Sequence, residues 1–193
     1  MYLFNIFILL TAFSIMTISD VSAADHKNPR YEMTVTQNGK ELGKIVLELF
    51  PDKAPKHVKN FDSLVASKFY DGCAFHRVIP GFMIQGGDPN SKDKPKETWG
   101  MGAPGQTKVP AEFNDVKHER GILSAARTND PNSATSQFFI MHDKAPHLDG
   151  QYTAYGKVVS GIEVVDIIAK TPRNQQSNNP NDKVEFTIVK LKH

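Results

Sequence analysis

From Tyr31 onward the sequence breaks into short apolar runs with a period of two, each stopped by a turn signal. That rhythm limits the fold more than any single motif does. In YEMTVTQNGKELGKIVLELF, Met33 and Val35 alternate with polar residues, and Ile45, Leu47 and Leu49 alternate on the return. Between them, Asn38-Gly39 supplies the positive φ angles of a tight hairpin turn. FHRVI and FMIQG flank Pro80-Gly81, and GILSAAR, SQFFIMH, AYGKVV and KVEFTIVKLKH follow. This makes about eight strands, all short, and a closed sheet suits them because closure removes unpaired edges.

Two segments switch to a helical period. In APKHVKNFDSLVASKF, Val58, Phe61, Leu64 and Val65 share a face, with Pro55 near the start, where its missing N–H costs nothing. In GIEVVDIIAK, Ile162, Val165, Ile168 and Ala169 do the same. The expected fold is mainly β, a closed barrel with a helix over 54–67 and another over 161–170. Loops are expected at Pro89 to Pro110 and Arg173 to Asp182. No repeat or second domain is visible.

The first 23 residues read differently. Tyr2 to Ile18 is an apolar run of signal-peptide length, interrupted by Asn5, Thr11, Ser14 and Thr17, and Val21-Ser22-Ala23 predicts cleavage after Ala23. The basic residue that normally opens such a segment is missing, since the first is Lys27. The expected division is a signal peptide over 1–23 and one domain over 24–193. The destination is then the periplasm, with no stable membrane contact after cleavage. An uncleaved N-terminal anchor is the alternative. Loss of Asp20 with the leader raises the formal charge from +2 to +3, too mild to call for nucleic acid.

Several motifs lead nowhere. GMGAPG, Gly100 to Gly105, has dinucleotide-site spacing, but Pro104 and Pro110 place it in a loop rather than at a strand–helix junction. Its glycines are read as shaping a surface loop. The seven histidines lack zinc spacing and an acidic cluster, so no metal or other cofactor is expected, and most are read as surface residues. Cys73 is single; it is read as a small core residue, although His76 in CAFH makes a Cys–His pair imaginable. Neither G-x-S-x-G nor a P-loop occurs.

What remains is an arginine without an obvious partner. In FHRVIPGFMIQGGD, Arg77 sits among Val78, Ile79, Phe82, Met83 and Ile84, and no carboxylate follows until Asp88. GILSAARTNDPNSATSQFFIMH adds Ala126, Arg127, Gln137, Phe138, Phe139 and Met141, and APHLDGQYTAYGKVV adds Leu148 and Tyr152. If strands bring these segments together, they form an apolar pocket rimmed by Arg77, Gln85, Gln137 and Tyr152. It offers hydrogen-bond donors but no base, nucleophile or metal. That inventory suits a ligand apolar in one part and peptide-like in another.

These stretches, in this order and between the two helices, resemble the cyclophilins over roughly Tyr31 to Leu191. ATSQFF and WGMGAPGQTKVPAEF look like the bacterial branch. The resemblance implies an eight-stranded antiparallel barrel capped by two α-helices and peptidyl-prolyl cis-trans isomerase activity. Its substrates would be proline-containing peptides and unfolded or partly folded exported proteins. Arg77 matches the family's catalytic arginine. Phe82, Met83, Phe139 and Leu148 match the walls of its proline pocket, and Gln85 and Gln137 its glutamines. Ala126 and Arg127 fall where the family holds substrate backbone, with Arg127 replacing an asparagine. His147 replaces a tryptophan that helps bind cyclosporin, so cyclosporin binding is expected to be weak. Tyr152 replaces a histidine. The competing reading is a chaperone or surface protein that grips proline segments with only incidental isomerase activity. A monomer is expected.

Overall fold

The computed structural model describes residues 28–192; the expected signal peptide and its cleavage site lie outside them. Eight strands form the wall: β1 (Arg30–Gln37), β2 (Lys40–Leu49), β3 (Cys73–Ile79), β4 (Met83–Gly86), β5 (Ile122–Ala125), β6 (Phe138–Met141), β7 (Ala154–Ser160) and β8 (Val184–Lys190). They close into an antiparallel barrel in the order β1-β2-β7-β5-β6-β4-β3-β8. Asn38 (φ 53°) and Gly39 (φ 74°) make the β1–β2 turn as the sequence predicts. Pro80-Gly81 makes the β3–β4 turn, with the Phe82 N–H donating to the Ile79 carbonyl at 3.0 Å and Gly81 at φ 74°.

Among the described residues three helices accompany the wall: α1 (Pro55–Ala66), α2 (Asn90–Asp93) and α3 (Ile162–Ala169). α1 and α3 match the two predicted from periodicity. The four-residue α2 and a 3₁₀ turn at Lys96–Thr98 interrupt the stretch read as loop. Pro55 opens α1, and Val58, Phe61 and Val65 are its buried face. Phe61 packs against Tyr31 of β1, Phe138 of β6 and Tyr155 of β7, which places its ring in the mouth of the barrel. α3 contributes Val164, Val165, Ile168 and Ala169 to the same core.

The barrel is solid. Tyr70, Phe75, Phe138 and Phe186 fill its interior with ring centroids 4.9–6.3 Å apart, so no ligand-sized space is left inside. An eight-stranded barrel is just wide enough for this filling. Strand alternation then sorts side chains into two sets. Phe138 and Ile140 of β6 and Ile84 of β4 point inward to the core. Phe139, Met141 and Met83, their strand neighbours, form a separate cluster outside the wall with Ala145 and Leu148.

Arg77 reaches the outer face through a bulge. Phe75 pairs with Gly86 and Arg77 with Gln85, so His76 is an extra residue in β3. Phe75 and Val78 both belong to the inner core despite their odd spacing. The bulge absorbs that change of phase and turns Arg77 outward, beside Gln85.

The histidines depart from expectation. His57, His76 and His118 are buried, not at the surface. His57 Nδ1 lies 2.7 Å from Glu112 Oε2, and His118 Nδ1 lies 3.2 Å from Asp149 Oδ1. These acids sit 55 and 31 residues away in the chain, so local sequence gives no sign of them. Cys73 is a core residue, its thiol pushed up to about 11 by burial. Neither His76 ring nitrogen has a hydrogen-bond partner among the described residues, which leaves no Cys–His pair.

Candidate functional site

β3 and β4 carry Arg77, Met83 and Gln85 to the outer wall, β6 carries Phe139, and the chain after β5 carries Ala126 and Arg127. Phe82 follows the Pro80-Gly81 turn. Leu148 ends a 3₁₀ turn at Pro146–Leu148, and Tyr152 follows it. Together Arg77, Phe82, Met83, Gln85, Ala126, Arg127, Phe139, Leu148 and Tyr152 line one cavity of about 110 Å³. All nine were singled out from sequence.

The floor is apolar and held from behind. Met83, Phe139 and Leu148 are 1 %, 5 % and 7 % exposed. Phe139 meets Tyr152 edge to face at 5.8 Å, and His118 stacks on Phe139 at 6.1 Å. His118 Nε2 in turn lies 3.0 Å from the Ser124 hydroxyl, fixing the imidazole from its other side. Burial holds this imidazole below its ordinary pKa, against the opposing pull of Asp149.

Arg77 stands over this floor half-buried. Its Nη1 donates to Gln85 Oε1 at 3.4 Å and touches Met83 Sδ at 3.9 Å. Among the described residues no carboxylate comes within ion-pair distance of it. Asp88 does not serve as its counter-ion. That carboxylate is fully buried and accepts from the N–H groups of Asn90, Gly100 and Gly102. Arg77 is therefore a cation with donors free to face a ligand. Gln85 Nε2 donates to Gln137 Oε1 at 3.0 Å, and Gln137 Nε2 donates to the Gly100 carbonyl at 3.1 Å, so a chain of amides leads away from the guanidinium.

That chain ends at a second cavity of about 440 Å³, which the sequence reading did not foresee. Gly100, Met101, Gly102, Ala103, Pro104 and Gln106 form one side of it, and Thr128, Ser133 and Thr135 the other. Gln137 lines this cavity, not the smaller one, while Gln85, Ala126 and Arg127 are shared by both. The loop of glycines lies at the surface, as the sequence suggests, and also forms one wall of this cavity. Its signal in the sequence is the GMGAPG stretch itself, whose spacing suggests a dinucleotide site and whose prolines place it in a surface loop.

Two sequence candidates sit differently from the rest. His147 is exposed and lines neither cavity; it stacks on Phe82 at 5.9 Å, on the rim. The Ala126 N–H is already committed to the Gln137 carbonyl at 3.0 Å. The site has an apolar slot, two arginines without an acid partner and a row of amides, with no metal-ligand cluster among the described residues.

The family model described as "Cyclophilin type peptidyl-prolyl cis-trans isomerase/CLD" matches residues 32–192. A "Probable peptidyl-prolyl cis-trans isomerase" of Brucella suis is 45% identical over 183 residues, covering 92% of this chain and 90% of the relative. A "Peptidyl-prolyl cis-trans isomerase-like 3" of Gallus gallus is 44% identical over 154 residues, covering 78% and 91%. Among solved structures, a cyclophilin type peptidyl-prolyl cis-trans isomerase of Cryptosporidium parvum aligns with a TM-score of 0.75 at 32% identity, covering 86% of this chain and 99% of that one. The same Cryptosporidium protein in the presence of the dipeptide Ala-Pro aligns with a TM-score of 0.73 at 32% identity, covering 85% and 99%.

Proposed function

The chain belongs to the cyclophilin-type peptidyl-prolyl cis-trans isomerases and is itself such an enzyme, and from that premise we propose that Arg77 is its catalytic residue, acting on proline segments seated in the small outer cavity. The observation that carries this reading is the unpaired guanidinium over the Phe82, Met83, Phe139 and Leu148 floor. The neighbour described with Ala-Pro supports a proline ligand.

An X-Pro amide resists rotation because the nitrogen lone pair is delocalised into the carbonyl, with a barrier of roughly 18–20 kcal/mol. In the twisted transition state the lone pair localises on nitrogen and becomes a hydrogen-bond acceptor. A guanidinium stays protonated at any physiological pH and has donors to spare. Arg77 hydrogen-bonds to that nitrogen only when the bond is turned, because the planar ground state offers no such acceptor. No proton moves and no covalent bond forms. A charge-assisted hydrogen bond contributes about 1.5–3 kcal/mol, or roughly 10- to 100-fold in rate. The proline ring, held on the apolar floor while the carbonyl side rotates, accounts for further acceleration.

The test is Arg77→Ala and Arg77→Lys in a refolding-limited or NMR exchange assay. Arg77→Ala is expected to lower kcat/KM by at least about tenfold, with peptide binding largely kept. Arg77→Lys is expected to recover only part, because an ammonium lacks the planar fork. If Arg77→Ala isomerises at the wild-type rate, Arg77 has no catalytic role. If it is inactive yet the biological role survives, gripping proline segments is the function and turnover is incidental.

We place the enzyme in the periplasm, acting on exported proteins. The apolar run Tyr2 to Ile18 followed by Val21-Ser22-Ala23 supports this reading. Amino-terminal sequencing of the secreted protein is expected to begin at Ala24; an intact Met1 in the membrane fraction contradicts release.

A further inference from the structure

Arg127 is the second guanidinium at the site, and it is locked. Its Cζ lies 4.2 Å over the Tyr152 ring. Nε and Nη2 both donate to the Gln151 carbonyl, at 3.3 and 2.9 Å, and Nη1 donates to the Thr128 carbonyl at 2.8 Å. One N–H on each terminal nitrogen is left over. No acid lies within ion-pair distance among the described residues. Asp130, three residues on, and Asp149, two residues before Gln151, are otherwise engaged. Asp130 accepts from the Asn132 N–H, and Asp149 from the His118 N–H, with Lys117 Nζ 3.4 Å away. Arg127 also lines both cavities, standing with Gln85 and Ala126 where they meet.

A peptide with its proline in the small cavity and its chain running into the large one passes Arg127 within a residue or two of the proline. Three carbonyl contacts and a ring stack have already paid the side-chain entropy that an exposed arginine normally loses on pairing. Arg77 adds a second positive charge from the opposite side of the slot, again with no local counter-ion.

We propose that Arg127 is a specificity-determining residue that selects proline segments carrying a carboxylate side chain directly before or directly after the proline. The inference rests on the proposed seating of proline in the small cavity. It concerns the side chain of Arg127, whereas the role implied by resemblance was a backbone one.

The experiment uses NMR exchange, which needs no coupling protease, on two series of short peptides. Glu, Gln or Lys stands directly before the proline in one series and directly after it in the other. Wild-type enzyme is expected to turn over the Glu peptide about two- to fivefold faster in kcat/KM than the Gln peptide in at least one series, with Lys slowest, as for an exposed ion pair. That ratio is expected to fall toward one near roughly 1 M salt, where screening acts within about 3 Å. In Arg127→Gln the Glu-to-Gln ratio is expected to collapse whatever happens to overall rate, and Arg127→Lys is expected to retain much of it. A ratio below about 1.5 in both series, a ratio indifferent to salt, or one that survives in Arg127→Gln overturns the proposal. The Gln peptides with Arg77→Ala test the underlying seating and catalysis separately, since they carry no charge for Arg127 to read.

Discussion

Replacing Asp88 by Asn tests whether the larger cavity is held by one buried carboxylate. Asp88 is fully buried; Oδ2 accepts from Gly100 N–H at 2.5 Å and from Gly102 N–H at 3.1 Å, and Oδ1 accepts from Asn90 N–H at 3.1 Å. Asparagine has nearly the same shape but one acceptor oxygen. With that oxygen toward the glycines, its amide group faces the Asn90 N–H donor to donor; with it turned, two loop donors are stranded. A stranded buried donor costs about 1–3 kcal/mol, and each surviving bond drops from charge-assisted to neutral strength, roughly 1 kcal/mol apiece. In the better orientation Asp88→Asn is therefore expected to lose about 3–5 kcal/mol in urea or guanidinium unfolding, with the slope m unchanged. Because Gly100 and Gly102 belong to the chamber wall, their amides should exchange faster with solvent, and KM for longer peptides should rise more than kcat falls. A variant within about 0.5 kcal/mol of wild type, with both glycine amides still protected, refutes the clamp.

Stability should fall early on acidification. Burial holds the imidazoles of His57, His76 and His118 below their ordinary pKa, so the unfolded chain takes up protons first. Their contribution is complete above about pH 6.5 and is lost as pH drops toward the folded values; a denaturation midpoint flat down to pH 5 contradicts this. Gly161 sits at φ 82°, and a Cβ there would run into the Lys44 carbonyl oxygen. Gly161→Ala should cost more than about 3 kcal/mol in the same unfolding assay. His147→Trp on the rim should strengthen cyclosporin binding about tenfold by calorimetry, through the larger ring stacked beside Phe82; no gain removes the rim residue from the account.

Periodicity reported what depends on neighbours along the chain. Met33, Val35, Ile45, Leu47 and Leu49 face the core, and Val58, Phe61 and Val65 form the buried face of α1, because alternation and helical spacing are local properties. The small cavity was legible because Arg77 lacked an obvious partner and because the three stretches that line it resemble the cyclophilins in order. The large chamber was not, since Gly100 to Pro104 form its wall only once distant groups hold the loop: Asp88 accepts from the Gly100 and Gly102 N–H groups, and Asn90 and Gln137 donate to the Gly102 and Gly100 carbonyls. The buried histidines were missed for a similar reason: Glu112 and Asp149 meet them only once the chain is folded. The outward turn of Arg77 also needs the bulge at His76, which strict alternation along β3 does not predict.

A barrel packed solid with aromatic rings has a topological consequence for what it handles. Nothing is swallowed, so nothing about a client's length or its free ends matters to the slot on the outer staves. On the proposed seating, a long polypeptide would lie across it like a rope over a cleat, be twisted at one joint and slide on, with both its tails free in solution throughout.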